Sequence, residues 1–127
     1  MTIYALSSGS GLSGVAIIRI SGKEASNVIK ALTSKEIPKP RVATLRKINN
    51  INTSKLIDEG IIIWFPGPES YTGEDMAEIH IHGGKAGILA VQNEISKVKN
   101  CRLADPGEFT KLAFQNGKIN LLKAESI

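Results

Sequence analysis

Polar and apolar residues alternate along residues 75–82, and two glycines follow directly. A period of two is typical of a β-strand that buries only one face. The two faces divide as Ala77, Ile79 and Ile81 against Met76, Glu78, His80 and His82. The apolar face must pack against another layer, so this segment predicts a sheet covered by helices. Its other face carries a carboxylate and two imidazoles, which indicates a binding surface.

The bulk composition is that of one globular domain. The chain has 127 residues, of which 42% are hydrophobic and 22% charged. No apolar run approaches the ~20 residues that cross a bilayer, and the N-terminus lacks the basic and apolar regions of a secretion signal. Cys101 is the single cysteine, so no internal disulfide is possible. We therefore expect a reducing, cytoplasmic location and no membrane association.

The remaining elements follow from periodicity and from breaker residues. Further strands are predicted over residues 2–6, 15–20, 42–48, 57–65 and 101–104. Helices are predicted for about ten residues after Glu24, over 85–99, and from Pro106 to Gly117. The strand at 57–65 is apolar on both faces, which favours a central position in the sheet. The fold class is α+β, a mixed β-sheet with about three packed helices.

Capping signatures set the predicted helix ends. Ser21 and Glu24 have the spacing of a capping box, and Asp105 and Glu108 form a second one around Pro106. Asn120 caps a further helix over 121–127 that breaks off in mid-pattern. The apolar stripe of the helix at 85–99 is predicted to contain Ile88, Leu89, Val91 or Gln92, Ile95 and Val98.

The charge distribution is polarised. The net charge is +4, and residues 23–55 hold eight of the sixteen basic residues with only two acids. Residues 58–78 hold six acids and no lysine or arginine. The basic segment is either a solvated lysine-rich surface or a face for nucleic acid. A steep salt dependence of nucleic-acid binding would indicate the second.

Residues 9–14 match the G-x-G-x-x-G pattern of dinucleotide sites. In those sites the glycines open a helix, whereas here the strand VAIIRI follows. The pattern therefore predicts a tight loop between strands. The chain also lacks the spaced glycine, lysine and hydroxyl residues of a P-loop.

Glu78, His80 and His82 would project from one side of their strand, as the ligands of an open zinc site do. A metal-dependent hydrolase using these residues is one alternative function. Half-buried histidines that donate hydrogen bonds are the other interpretation.

Arg19 shares a strand face with Val15 and Ile17, where a guanidinium is costly to bury unpaired. Either it pairs with a residue such as Glu78, or both face a ligand.

Three blocks of sequence carry a family resemblance. GVAIIRISG, IDEGIIIWFPGPESYTGEDMAEIHIHGG and RLADPGEFTKLAFQNGKINLLKAESI resemble the N-terminal region of the tRNA-modification GTPase family MnmE, also called TrmE. The resemblance extends over essentially the whole chain. It implies a fold similar to the tetrahydrofolate-binding domain of glycine-cleavage aminomethyltransferases. Residues 1–118 would form a folate-binding and dimerisation domain, and residues 119–127 would begin a truncated helical domain.

The resemblance also implies a ligand, 5-formyl- or 5,10-methylene-tetrahydrofolate. The family's folate contacts fall on Arg19, Glu78 and Lys118, with no catalytic residue in this domain, whereas His80 departs from the family pattern. GTP, magnesium and potassium would belong to a GTPase domain absent from this chain. The implied partners are a second copy of the protein, a flavin-dependent tRNA-modification protein, and tRNA, modified at C5 of the wobble uridine. An aminomethyltransferase-like folate domain is an alternative, and the fragment is not expected to be active alone.

The chemistry of a reduced pterin suits these residues. Its ring N–H and neighbouring 2-amino group form two parallel donors that match a carboxylate, so Glu78 is the expected anchor. Arg19 and Lys118 would bind the carbonyl groups and the glutamate tail. The sequence leaves open which cation takes which group.

Overall fold

The computed structural model describes residues 1–7 and 14–120 of the chain. The elements, in chain order, are β1 (Thr2–Leu6), β2 (Val15–Ser21), α1 (Ala25–Thr33), β3 (Thr44–Asn49), β4 (Leu56–Phe65), β5 (Met76–His82), α2 (Lys85–Ser96), β6 (Cys101–Leu103) and α3 (Glu108–Gln115). The six strands form one sheet in the order β3-β4-β5-β2-β1-β6. All neighbours are antiparallel except β1 and β6, which are parallel. The predicted α+β class with a mixed sheet and three helices is confirmed.

The helices α1 and α2 cover one face of the sheet. Ile18, Ile62 and Ile79, from β2, β4 and β5, are fully buried there. They join Val28 of α1 and Val91 of α2 in one apolar cluster. Burying such side chains contributes about 1.5–3 kcal/mol each, so this layer is the core. It leaves the opposite face of the sheet, with the polar residues of β5, available for binding.

The alternation predicted for residues 75–82 is confirmed. Ala77, Ile79 and Ile81 are buried, whereas Glu78 and His80 are partly exposed. The prediction from its two apolar faces that β4 lies inside the sheet is confirmed, since β4 pairs with both β3 and β5. It is an inner strand, and Ile62 and Trp64 enter the core, but Ile61, Ile63 and Phe65 stay partly exposed. Because α1 and α2 both lie on the other face, neither of them covers this second apolar row of β4.

The inward stripe predicted for α2 contains one error. Ile88, Val91 and Ile95 are buried, whereas Leu89 is 63% exposed. The buried position that the apolar pattern overlooked is Glu94, at 2% exposure. Its carboxylate accepts hydrogen bonds from the backbone N–H of Ile51 (2.9 Å) and from Nζ of Lys97 (2.8 Å). These bonds compensate its desolvation, as burial of a carboxylate requires.

The first predicted capping box is wrong. Ser21 is the last residue of β2, and its hydroxyl lies 2.8 Å from Oγ1 of Thr72 and 2.7 Å from Oε1 of Glu74. The backbone N–H of Glu24 donates instead to Oγ1 of Thr2, at 2.8 Å. Thr2 can reach the start of α1 because Gly22 lies between them at a φ of 139°, where an added Cβ would be 2.4 Å from that oxygen.

The second capping signature is partly realised. The residue before α3 is Gly107, in the left-handed conformation, and Asp105 makes no side-chain cap. The reach-back of Glu108 is present, because its Oε1 accepts from the backbone N–H of Asp105 at 2.9 Å. Gly117 ends the helix at a φ of 72°, as predicted.

Two predictions fall outside the described residues. These are the glycine-rich loop, apart from Gly14, and the helix over 121–127. Within the described ranges, no helix combines the length and apolar character that crossing a bilayer requires.

Candidate functional site

An ion pair lies on the sheet face opposite the helices. Arg19 of β2 and Glu78 of β5 are register partners on adjacent strands. Nε of Arg19 lies 3.2 Å from Oε2 of Glu78, and the Glu78 side chain is only 17% exposed. The pairing anticipated for Arg19 is therefore present, and the pair belongs to a partly buried site.

The second oxygen of Glu78 is also engaged. Nε2 of His80 donates to Oε1 of Glu78 at 2.9 Å, and the His80 ring is 24% exposed. His80 follows Glu78 by two residues on the same strand, so the two side chains project side by side. Glu78 is thus held between two nitrogen donors, and its carboxylate has a fixed position on the sheet.

The turn between β4 and β5 covers one side of this pair. The ring of Tyr71 lies 5.8 Å from Cζ of Arg19, within the range of a cation–π interaction. The Tyr71 hydroxyl lies 3.3 Å from Oγ1 of Thr110 on α3, and Nδ2 of Asn116 donates to the carbonyl of Thr72 at 2.6 Å. The turn is therefore fixed to α3. Tyr71 was not identified from the sequence as a site residue, because its place over Arg19 depends on the path of the turn.

Lys118 lies on the far side of the same turn. Its backbone N–H donates to the carbonyl of Ala113 at 2.8 Å, just after α3. Its side chain is close to Gly73, since a Cβ on that glycine would be 3.3 Å from Cε of Lys118. The structure therefore brings Arg19 and Glu78 into direct contact and places Lys118 at the turn that carries Tyr71.

Two cavities meet at Arg19. The smaller one, of about 130 Å³, is lined by Arg19, Phe65, Tyr71, Met76 and Glu78. The larger one, of about 480 Å³, lies between the ends of β1 and β6 and the start of α3, where Leu103, Pro106 and Phe109 supply apolar surface. A ligand that contacts Glu78 could extend past Arg19 into the larger cavity.

The start of α3 is held by a second ion pair. Glu108 receives hydrogen bonds from the guanidinium of Arg102 on β6 and from the backbone of Asp105. The Arg102 guanidinium, followed by that backbone hydrogen bond, lowers the pKa of Glu108 to about 2. Glu108 therefore stays ionised and keeps the wall of the larger cavity in place.

The two imidazoles on β5 are directed to different carboxylates. His82 is 83% exposed, and its Nδ1 lies 2.9 Å from Oδ1 of Asp58. Burial alone would raise the pKa of Asp58, but hydrogen bonds from the backbone and ring of His82 and from the backbone of Glu59 outweigh it and lower this pKa.

Within residues 1–7 and 14–120, no three His, Cys, Asp or Glu side chains converge as metal ligands do. The geometry gives no support to the metal-dependent hydrolase.

These features define a class of protein, an α+β ligand-binding domain with helices on one sheet face and a carboxylate held between basic groups on the other. Within that class, the chain belongs to the family described as the GTP-binding protein TrmE N-terminus, which matches residues 2–118.

Relatives from several organisms agree with this assignment. The chain is 77% identical over its whole length to the tRNA modification GTPase MnmE of Pelagibacter ubique, of which it covers 29%. It is 44% identical over 99% of its length to the protein of the same name from Parvibaculum lavamentivorans, again covering 29%. It is 46% identical to a mitochondrial 5-taurinomethyluridine tRNA synthase subunit of Danio rerio, covering 25%. The chain thus spans less than a third of the length of these curated relatives.

Proposed function

We propose that this domain binds a one-carbon tetrahydrofolate, 5-formyl- or 5,10-methylene-tetrahydrofolate, with Glu78 as the anchor of the pterin ring. The observation that carries the proposal is the Glu78 carboxylate, which is partly buried, paired with Arg19 and exposed to the smaller cavity. A carboxylate in such a place is costly to leave without donors.

The donor pattern of the pterin fits this carboxylate. The ring N–H and the 2-amino group donate two parallel hydrogen bonds, which a carboxylate accepts as it does those of a guanidinium. Phe65 and Met76 line the same cavity and offer apolar contact to the faces of the ring. A ligand without this pair of donors could not replace the hydrogen bonds that it displaces from Glu78, so the site should select for the pterin edge.

The rest of the ligand requires more room than the smaller cavity provides. A volume of about 130 Å³ is below the ~300–1,000 Å³ of sites for drug-sized molecules. The larger cavity, which begins at Arg19, would take the aminobenzoyl ring against Pro106 and Phe109. Arg19 and Lys118 would bind carbonyl oxygens and the anionic tail.

The uncovered sheet face supports a second proposal, that two copies of this domain associate. Ile61, Ile63 and Phe65 of β4 remain partly exposed on this face, and Val15 and Ile17 of β2 lie on it across the intervening strand β5. Exposed apolar residues grouped in this way mark interaction surfaces. We infer that residues 1–118 form the folate-binding and dimerisation domain and that residues 119–127 begin a helical domain.

The names of the relatives suggest the role of the whole protein. Because they are called tRNA modification GTPases, we propose that the parent protein modifies C5 of the wobble uridine of tRNA in the cytoplasm. GTP, magnesium and potassium would bind in a GTPase domain outside this chain, and a flavin-dependent protein would be the redox partner. This domain would then supply the one-carbon unit.

Calorimetry with two ligands tests the folate proposal. We expect 5-formyl-tetrahydrofolate to bind with a dissociation constant in the micromolar range, about −8 kcal/mol. p-Aminobenzoylglutamate keeps the tail but lacks the pterin, so it should bind at least roughly tenfold more weakly. Equal affinities for the two ligands, or no binding of the folate, would contradict the proposal.

A further inference from the structure

The carboxylate of Glu78 already has two donors before any ligand arrives. Nε of Arg19 lies 3.2 Å from Oε2, and Nε2 of His80 lies 2.9 Å from Oε1. A pterin edge with two parallel donors requires both oxygens at once. A folate that binds as proposed above must therefore compete with at least one of these side chains.

Of the two donors, His80 is the one that a ligand can displace and whose charge can change with the pH of the solvent. Arg19 keeps its charge at all ordinary pH values, and its guanidinium is held under the ring of Tyr71. Histidine is the side chain whose charge ordinarily changes near neutral pH. The donor in the hydrogen bond from His80 to Glu78 can thus be neutral or charged, whereas the donor from Arg19 is always charged.

We propose that His80 is a positioning residue for Glu78 and that its protonation competes with the reduced pterin for Oε1. This inference rests on the proposed folate function. Neutral His80 orients the carboxylate and gives way to the ligand. Protonated His80 holds Oε1 more strongly, because the donor then carries a charge opposite to that of the carboxylate. Folate affinity should therefore be lower in acid, where His80 is protonated, than at alkaline pH.

Among the groups that surround the His80 ring, Glu78 is the one placed to influence its charge and orientation. On β5 it is flanked by Glu78 and by His82, which is bonded to Asp58. Its register partners on β2 and β4 are the apolar Ile17 and Ile61. Arg19 approaches through Glu78, and Glu59 lines the same cavity of about 280 Å³. Of these carboxylates, Glu78 is the one in hydrogen-bond contact with the His80 ring.

Nuclear magnetic resonance of histidine rings labelled with ¹⁵N tests the positioning role without any ligand. The chain has two histidines, so both rings can be followed. Glu78→Ala should shift the Nε2 resonance of His80 and leave that of His82 in place. Asp58→Asn, the matched control, should shift the Nδ1 resonance of His82, which contacts Asp58, and leave the Nε2 resonance of His80 in place. An Nε2 resonance of His80 that is the same in Glu78→Ala and in the wild type would overturn the positioning role.

Calorimetry with 5-formyl-tetrahydrofolate tests the competition. Between about pH 8 and about pH 5.5, wild-type affinity should fall roughly three- to tenfold, and His80→Gln should remove most of this dependence. His82→Gln should keep the wild-type slope, and unfolding temperatures would verify that both variants fold. A slope in His80→Gln equal to that of the wild type would overturn the competition. No binding at either pH would overturn the folate function and the competition together, while the resonance experiment still decides the positioning role.

Discussion

Arg19 and Glu78 face each other across β2 and β5, with Nε of the arginine 3.2 Å from Oε2 of the glutamate. The pair lies on the sheet face that α1 and α2 do not cover, beside two cavities that share Arg19. Its position explains why a charged residue interrupts the apolar strand β2. Arg19 satisfies a half-buried carboxylate, and together the two side chains offer a ligand both donors and an acceptor.

The ring of Tyr71 should contribute to folate affinity by holding the Arg19 guanidinium. We expect Tyr71→Ala to weaken binding of 5-formyl-tetrahydrofolate roughly two- to fivefold, the scale of an exposed cation–π contact. Tyr71→Phe keeps the ring and removes only the hydroxyl that contacts Thr110. It should bind almost as the wild type does in calorimetry. Equal losses in both variants would show that the hydroxyl, and not the ring, is what matters.

Lys118 should bind an anionic or carbonyl group of the ligand from beside Gly73. Lys118→Ala is expected to lower folate affinity roughly tenfold, as the loss of one charged hydrogen bond does. Lys111 is an exposed lysine on α3 and serves as the matched control. Titrations of both variants at the same ionic strength separate a local contact from a general effect of net charge. A similar loss for Lys111→Ala would argue for the general effect.

Glu94 should be important for stability although it is charged. Glu94→Ala leaves the backbone N–H of Ile51 and the Nζ of Lys97 without their acceptor. An unpaired buried donor costs about 1–3 kcal/mol, so the free energy of unfolding in urea should fall by that amount. Asn93→Ala changes an exposed neighbour on the same helix and should stay within ~0.5 kcal/mol of the wild type. Wild-type stability in Glu94→Ala would contradict this account.

The ion pair between Arg102 and Glu108 gives stability a defined acid dependence. The pKa of Glu108 is about 2 in the folded protein, against an ordinary value of 4.5. A lowered folded-state pKa means that the unfolded state binds the proton more readily, so this contribution is complete above pH 4.5 and lost as the pH falls towards 2. Urea unfolding should show Glu108→Gln less stable than the wild type at about pH 6 and nearly equal at about pH 2. A difference that persists at the lower pH would contradict the ion-pair explanation.

The sequence predicted the fold where a local pattern decides it. The alternation on β5 assigned each of its residues to the correct face, because a single buried layer imposes a strict period of two. Patterns failed where distant residues took over a local role. Thr2 replaces Ser21 as the acceptor at the start of α1, and Glu94 enters the core because Ile51 and Lys97 satisfy it. Such contacts join segments far apart in the chain, which no short window records.

The sequence also predicted part of the candidate site, as it did part of the fold. Arg19 and Glu78 could be paired from the sequence because both are polar residues on apolar strands. The spacing of Glu78 and His80 placed them side by side on one strand face, as their hydrogen bond requires. The place of Tyr71 over Arg19 depends on the path of the turn, which spacing does not predict. Lys118 came from the family resemblance, and its position beside Gly73 makes a role near Tyr71 physically reasonable.

The most direct test of the central claim is calorimetry of 5-formyl-tetrahydrofolate with Glu78→Ala. Glu59 is an exposed carboxylate on the adjacent strand β4, so Glu59→Ala is the matched control. If Glu78 anchors the pterin, Glu78→Ala loses roughly tenfold or more in affinity, while Glu59→Ala binds as the wild type does. An affinity of Glu78→Ala equal to that of the wild type would contradict the assignment of Glu78 as the pterin anchor.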